Sequence, residues 1–143
     1  MAIRLTDAEI ASLISEQKRL DKTLNLPPDL KGARLGHLRC SIPAKGVSGN
    51  RFMIIVRKSQ ANFLDFSVIL AYQLPESNRL FRLRRYNGNS HEHTNVIEKN
   101  SFTTFHIHTA TARYQKLGLK EDTYAEPTDR YRDVNGAICC MLE

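Results

Sequence analysis

Apolar residues Ile10, Leu13, Ile14 and Leu20 recur near the helical period over residues 6 to about 22, which predicts an amphipathic helix. Thr6 followed by Glu9 has the form of a capping box, in which each side chain bonds a free backbone N–H at the helix start. Leu-Pro-Pro at 26–28 closes off any continuation. From residue 37 the period changes to two. Leu38, Cys40 and Ile42 alternate with His37, Arg39 and Ser41, as in a half-buried strand. Residues 51–58 (RFMIIVRK) are apolar on both faces, which suits a central strand. Residues 63–74 alternate again, with Phe66, Val68, Leu70, Tyr72 and Leu74 on one side. A fourth strand is predicted over 79–86, with Phe81 and Leu83 opposed to Arg82, Arg84 and Tyr86. A fifth over 102–108 sets Thr103, Phe105 and Ile107 against Phe102, Thr104, His106 and His108. Turns fall at 43–50, 60–62 and 75–78, and Asn87-Gly88 is a strong turn signal. A short helix over about 109–117 is stopped by Gly118. A last helix starts at Thr128 or Asp129, either of them a good N-cap, with Tyr131, Val134, Ile138 and Met141 at helical spacing.

Strands joined by short connections favour an antiparallel meander, and helices segregated to the chain ends make the class α+β. The pattern predicts a five-stranded, mainly antiparallel sheet with an N-terminal helix and two C-terminal helices. Residues 1–143 form a single domain in this reading. Helices cover one sheet face and leave the other open or grooved.

Composition narrows the function classes. A hydrophobic content of 41% with 25% charged residues belongs to a globular chain. The formal net charge of +6 favours an anionic partner. No run of about 18 apolar residues marks a transmembrane helix, and the N-terminus lacks the uninterrupted apolar centre of a signal peptide. The three cysteines, Cys40, Cys139 and Cys140, suit neither a disulfide framework nor zinc spacing. They read as small buried side chains of a cytoplasmic protein.

Residues 79–108 carry the candidate chemistry: Arg79, Arg82, Arg84 and Arg85, Tyr86, and the two H-x-H pairs His91/His93 and His106/His108. If the fourth and fifth strands pair, Arg82, Arg84, Tyr86, His106 and His108 share a face. Three readings follow. In the first, Arg79, Arg82, Arg84, Arg85 and Tyr86 bind nucleic acid, RNA above all, through phosphate contacts and stacking. A ribonuclease form of it uses His91, His93, His106 and His108 as acid–base candidates, one taking a 2′-hydroxyl proton and another protonating the leaving group. In the second, the H-x-H pairs offer up to four imidazoles to a transition ion, with Glu92 or Glu98 adding an oxygen. The cationic surroundings oppose this, and no metal and no cofactor is assigned. In the third, the cluster is a solvated polar sheet face, made basic against aggregation. A further polar stretch, 124–131, offers Glu126 and Asp129 to orient arginines, although its capping residues favour a plain helix start.

RLRRYNGNSHEHTN (82–95), FHIH (105–108), ATARYQKLG (110–118) and YAEPTDRY (124–131) resemble a family of small uncharacterised bacterial and prophage proteins. Arg85, Tyr86, Asn87, Gly88 and His91/His93 resemble more loosely the TumE-like toxins of toxin–antitoxin systems. The family resemblance implies a prophage-type protein and brings no established activity with it; joined to the residue reading above, it gives a protein whose Arg/His face binds RNA or another polyanion, with the looser likeness adding a toxin-like ribonuclease form. The alternative they imply is a non-enzymatic anti-defence protein, anti-CRISPR-like, or an antitoxin-like module that binds a host defence or toxin protein. Neither reading involves a membrane.

Overall fold

The computed structural model describes residues 4–32 and 36–142. Its first helix, α1 (Asp7–Ser15), opens on the capping box: Thr6 Oγ1 accepts from Glu9 N, and Glu9 Oε1 accepts from Thr6 N. The helix ends well short of what its apolar stripe predicts. Glu16 leaves helical geometry at ψ 127°. Its carboxylate accepts from Ser48 N and Asn50 Nδ2, so it belongs to a strand turn. Lys18 Nζ donates to the carbonyls of Leu13, Ile14 and Glu16, satisfying acceptors that a helix end leaves free. Lys18 and Leu20 thus sit on a strand, β1 (Lys18–Leu20).

The remaining elements are β2 (Lys31–Gly32), β3 (His37–Gly46), β4 (Arg51–Ser59), β5 (Phe66–Gln73), β6 (Leu80–Asn87), β7 (His93–Asn95), β8 (Asn100–Phe102), β9 (His106–Thr109), α2 (Ala112–Lys116), β10 (Ala125–Pro127) and α3 (Val134–Leu142). The class is α+β and every strand pairing among the described residues is antiparallel. The sheet is larger than five strands. β3, β4, β5 and β6 form the meander; β9 and β10 extend it beyond β6, and β1 and β2 pair with the other edge of β3, giving eight strands. β7 and β8 form a separate hairpin. No helix among the described residues is long and apolar enough to cross a membrane.

Three boundaries differ from the pattern for identifiable reasons. Residues 43–46 continue β3 rather than turning, since Pro43 and Ala44 pair with Met53 and Phe52. The predicted fifth strand divides into β8 and β9, because Phe102 pairs with His93 in the hairpin. The last helix begins later than Thr128. Thr128 N donates to Phe105 O, and the Tyr131 hydroxyl lies 2.8 Å from Asn87 O and 2.9 Å from His106 O. Asp133 then serves as the cap, its carboxylate accepting from Gly136 N.

Both long helices pack on one face. α1 brings Ile10, Leu13 and Ile14 onto Ile42, Phe52, Ile54, Leu70 and Leu83. α3 brings Val134, Ala137 and Ile138 onto Val56, Phe66, Val68 and Tyr86. The opposite face has a small apolar patch, Ile55, Ile69 and Ala71 with Met53 and Leu80, which no helix residue joins.

Asn87-Gly88 does not close a hairpin. Asn87 ends β6, and a Cβ on Gly88 would lie 1.8 Å from the Leu64 carbonyl oxygen. The glycine is there for close backbone approach. Gly88→Ala is expected to destabilise the fold by about 1–3 kcal/mol through overpacking, read as a lower urea midpoint at unchanged m-value.

Candidate functional site

The face away from the helices is set by register, because residues directly opposite across an antiparallel pair point the same way. Along β6 the register shifts once: Ala71 pairs with Arg82 and Leu70 with Arg84, which leaves Leu83 as an extra residue. Such a bulge resets the alternation. Arg82, Arg85 and Asn87 therefore lie on the open face with Ala71, Ile69 and Ser67. Arg85 faces His108 and Asn87 faces His106 across the pairing with β9.

This corrects the sequence reading of the Arg/His face. Arg84 shares the helix face with Leu70 and lies near Ile10 and Ile14 of α1. Tyr86 is 3% exposed in the core against Tyr131, so no base can stack on it. Arg79 is exposed in the turn before β6, outside the cluster. Of the four histidine candidates the fold gathers three. One ring nitrogen from each of His93, His106 and His108 lies within 4.8 Å of the other two. His91 is exposed in the loop and takes no part.

Each clustered ring is held by its second nitrogen. His108 Nδ1 lies 2.8 Å from Asp122 O, and His106 Nδ1 lies 2.9 Å from Thr104 O. A carbonyl only accepts, so in both rings Nδ1 carries the proton and Nε2 the lone pair. Asn95 Oδ1 accepts from Ala125 N and lies 2.8 Å from His93 Nε2. His93 therefore donates from Nε2 and keeps its lone pair on Nδ1. Asn87 Nδ2 stands 3.5 Å from His106 Nε2, at the limit of a hydrogen bond. Phe102 packs against His93 and His106 with ring centroids 5.5 Å away.

His106 is 4% exposed and His108 3%. Burial lowers the pKa of both, and the nearby Arg85 charge lowers both further, with His108 falling to about 2. Both are neutral near pH 7. The guanidinium of Arg85 is balanced by Asp122, a carboxylate 1% exposed, whose oxygens lie 3.3 Å from Arg85 Nε and 3.3 Å from Arg82 Nη2. Burial above all pushes the Asp122 pKa up, and the two arginines oppose that. Glu121 adds a contact of 3.6 Å to Arg82 Nε and accepts from Arg82 N.

Asp122 and Asn95 are the site residues that the sequence reading missed. Glu121 and Asp122 orient the arginines, a role the sequence offers to Glu126 and Asp129. Glu126 instead accepts from the Tyr124 hydroxyl. The available signal was modest: adjacent acids in a charged loop, and an asparagine two residues beyond the H-x-H pair.

The hairpin that carries His93 is fastened at two points. Asn95 Nδ2 donates to Ala125 O, tying β7 to β10. Glu98 accepts from the Tyr114 hydroxyl and pairs with Arg113, tying the hairpin turn to α2.

The cationic residues of the open face extend away from the histidines. Lys31, Arg39 and Arg57 stand in one cross-strand row, and Arg19, Lys45 and Arg51 in another. All six are exposed and none makes an ion pair among the described residues.

Holding His106 and His108 neutral has a measurable consequence. A histidine whose folded pKa lies below its unfolded value of about 6.5 binds its proton preferentially in the unfolded chain. Metal-free protein should then keep full stability above about pH 6.5 and lose it as pH falls toward 2. Each such histidine contributes roughly 1.4 kcal/mol per pH unit. His108→Asn, which keeps a donor toward Asp122 O, should flatten that decline in urea melts at pH 7, 6 and 5. Parallel declines in wild type and variant would refute it.

No family model, no curated protein and no solved structure matches the chain, so the case for its chemistry rests on these residues.

Proposed function

We infer that the open sheet face binds the backbone of a nucleic acid, RNA foremost. The observation that carries this reading is the alignment of like charges: Lys31–Arg39–Arg57 and Arg19–Lys45–Arg51, each three cations in direct cross-strand register. Like charges opposite one another destabilise a sheet. The rows therefore cost stability in the free protein and become favourable only against anions. Arg39 and Lys45 are six residues apart on β3, about 20 Å at roughly 3.3 Å per residue. A single small anion cannot answer both rows, whereas a phosphodiester chain spans them and releases condensed counterions on binding.

Binding is the activity proposed, rather than cleavage by a histidine acid–base pair. General acid–base work calls for groups that titrate near the working pH. His106 and His108 are buried, held neutral and engaged through Nδ1.

Binding of single-stranded RNA measured across a salt series tests the reading. Arg39→Ala/Arg57→Ala and Lys45→Ala/Arg51→Ala should each weaken binding for every sequence and reduce the salt slope by about 1.4, near 0.7 for each phosphate left without its cation on a single strand. Arg84→Ala should leave the slope unchanged, since Arg84 lies on the helix face. Unaltered binding in both double variants would overturn the proposal. A single stoichiometric protein co-purifying in place of RNA would support the inhibitor reading.

A further inference from the structure

We propose that His93, His106 and His108 form a binding site for one first-row divalent metal ion, zinc fitting best, with a coordination position left for an exogenous oxygen ligand. The three side chains come from separate parts of the chain, the β7–β8 hairpin and β9, and one nitrogen of each lies within 4.8 Å of the others. Bringing imidazole lone pairs together without a donor or an ion to meet them has no evident benefit. The nitrogens converge where two buried rings, His106 and His108, meet the half-buried ring of His93.

The outer contacts are those that metal-ligating histidines have. Such a histidine almost always donates its other N–H to a carbonyl, a carboxylate or water, which fixes its tautomer and raises its basicity. Here the partners are Asp122 O for His108, Thr104 O for His106 and Asn95 Oδ1 for His93. These contacts leave Nε2 of His106 and His108 and Nδ1 of His93 as the nitrogens that can bind an ion. Two ring pairs are steeply inclined, His93 and His108 at 79° with centroids 4.7 Å apart and His106 and His108 at 64° and 5.0 Å, while His93 and His106 stack at 20° and 5.5 Å, so His93 has to turn for all three lone pairs to meet one ion. Zinc–nitrogen bonds of about 2.0–2.1 Å put tetrahedral ligands about 3.3 Å apart, so the nitrogens must close by up to about 1.5 Å. Half-buried His93, on a short hairpin strand, is the ring least confined.

The donor set decides the ion class. Three neutral imidazoles suit zinc and its first-row neighbours and are poor ligands for magnesium or calcium. No carboxylate enters the set: Asp122 is committed to Arg82 and Arg85. Three protein nitrogens leave zinc one ligand short of tetrahedral, as in catalytic rather than structural sites. That open position takes water or an anionic oxygen. Arg85 faces His108 across the β6–β9 pairing and favours an anion there.

The experiment uses full-length protein without an affinity tag, stripped with chelator and dialysed against zinc, with bound metal counted by elemental analysis. Nucleic acid is absent, so the result is independent of the polyanion reading. Wild type and His91→Ala should each retain one equivalent. His93→Ala and His108→Ala should retain less than about a tenth of that, and zinc should raise the melting temperature of wild type but not of His93→Ala. Circular dichroism of the metal-free variants checks folding. If His108→Ala does not fold, His93→Ala, at the most accessible ligand, decides. Failure of wild type to retain zinc overturns the proposal. So does a full equivalent in His93→Ala, which would place the metal elsewhere.

Discussion

A carboxylate removed from water has to be paired, and Asp122 is the place where this chain meets that demand. Its side chain lies between Arg82 and Arg85, and its carbonyl holds the ring of His108. Strict alternation along β6 would put Arg82 and Arg84 on one face. The extra residue at Leu83 puts Arg82 and Arg85 there instead, which is the spacing a single buried carboxylate can bridge. Removing either arginine would leave a buried charge only half compensated, a change far more costly than losing an exposed ion pair. One pairing thus connects the bulge, the loop before β10 and the orientation of a histidine.

The same strands are secured from the other side of the sheet. Tyr131 comes through the helix-side core and shares its hydroxyl between the carbonyls of Asn87 and His106. Burial raises its pKa well above the ordinary tyrosine value, so it stays a donor. The strand ends that bear Asn87 and His106 are therefore held by a tyrosine beneath while the histidines gather above. His93 reaches that group only because Asn95 and Glu98 fix the hairpin to β10 and α2. Preorganisation of this kind allows the two buried rings and the half-buried His93 to keep defined tautomers.

The open face has two electrostatic characters. At the β6–β9 end Arg82 and Arg85 each have an acidic neighbour, and the surface is enclosed and close to neutral. Toward β1, β2, β3 and β4 the cations are exposed and stand beside one another. The net charge of +6 is therefore concentrated in effect, because acids are spent at one end of the face.

How much of this was legible depends on the range of the interaction. Period-two alternation, the capping box and Gly118 are local, and they determined the antiparallel meander, the start of α1 and the end of α2. The H-x-H pairs and the arginines marked the right region for the same reason: residues two apart on a strand share a face whatever surrounds them. Contacts far apart in sequence were not legible. The bulge at Leu83 has no local signal, and it moved Arg84 and Tyr86 to the helix face and Arg85 to the histidines. β1 replaced the end of a helix because Glu16 found Ser48 and Asn50, and Lys18–Leu20 found the edge of β3, partners that only the fold supplies. Asp122 and Asn95 look like loop residues until β10 pairs with β9 and brings them under the rings. The sequence by itself determined which side chains alternate; tertiary pairing decided which strands meet, and that, through a single residue of register, decided which arginine and which histidines share a site.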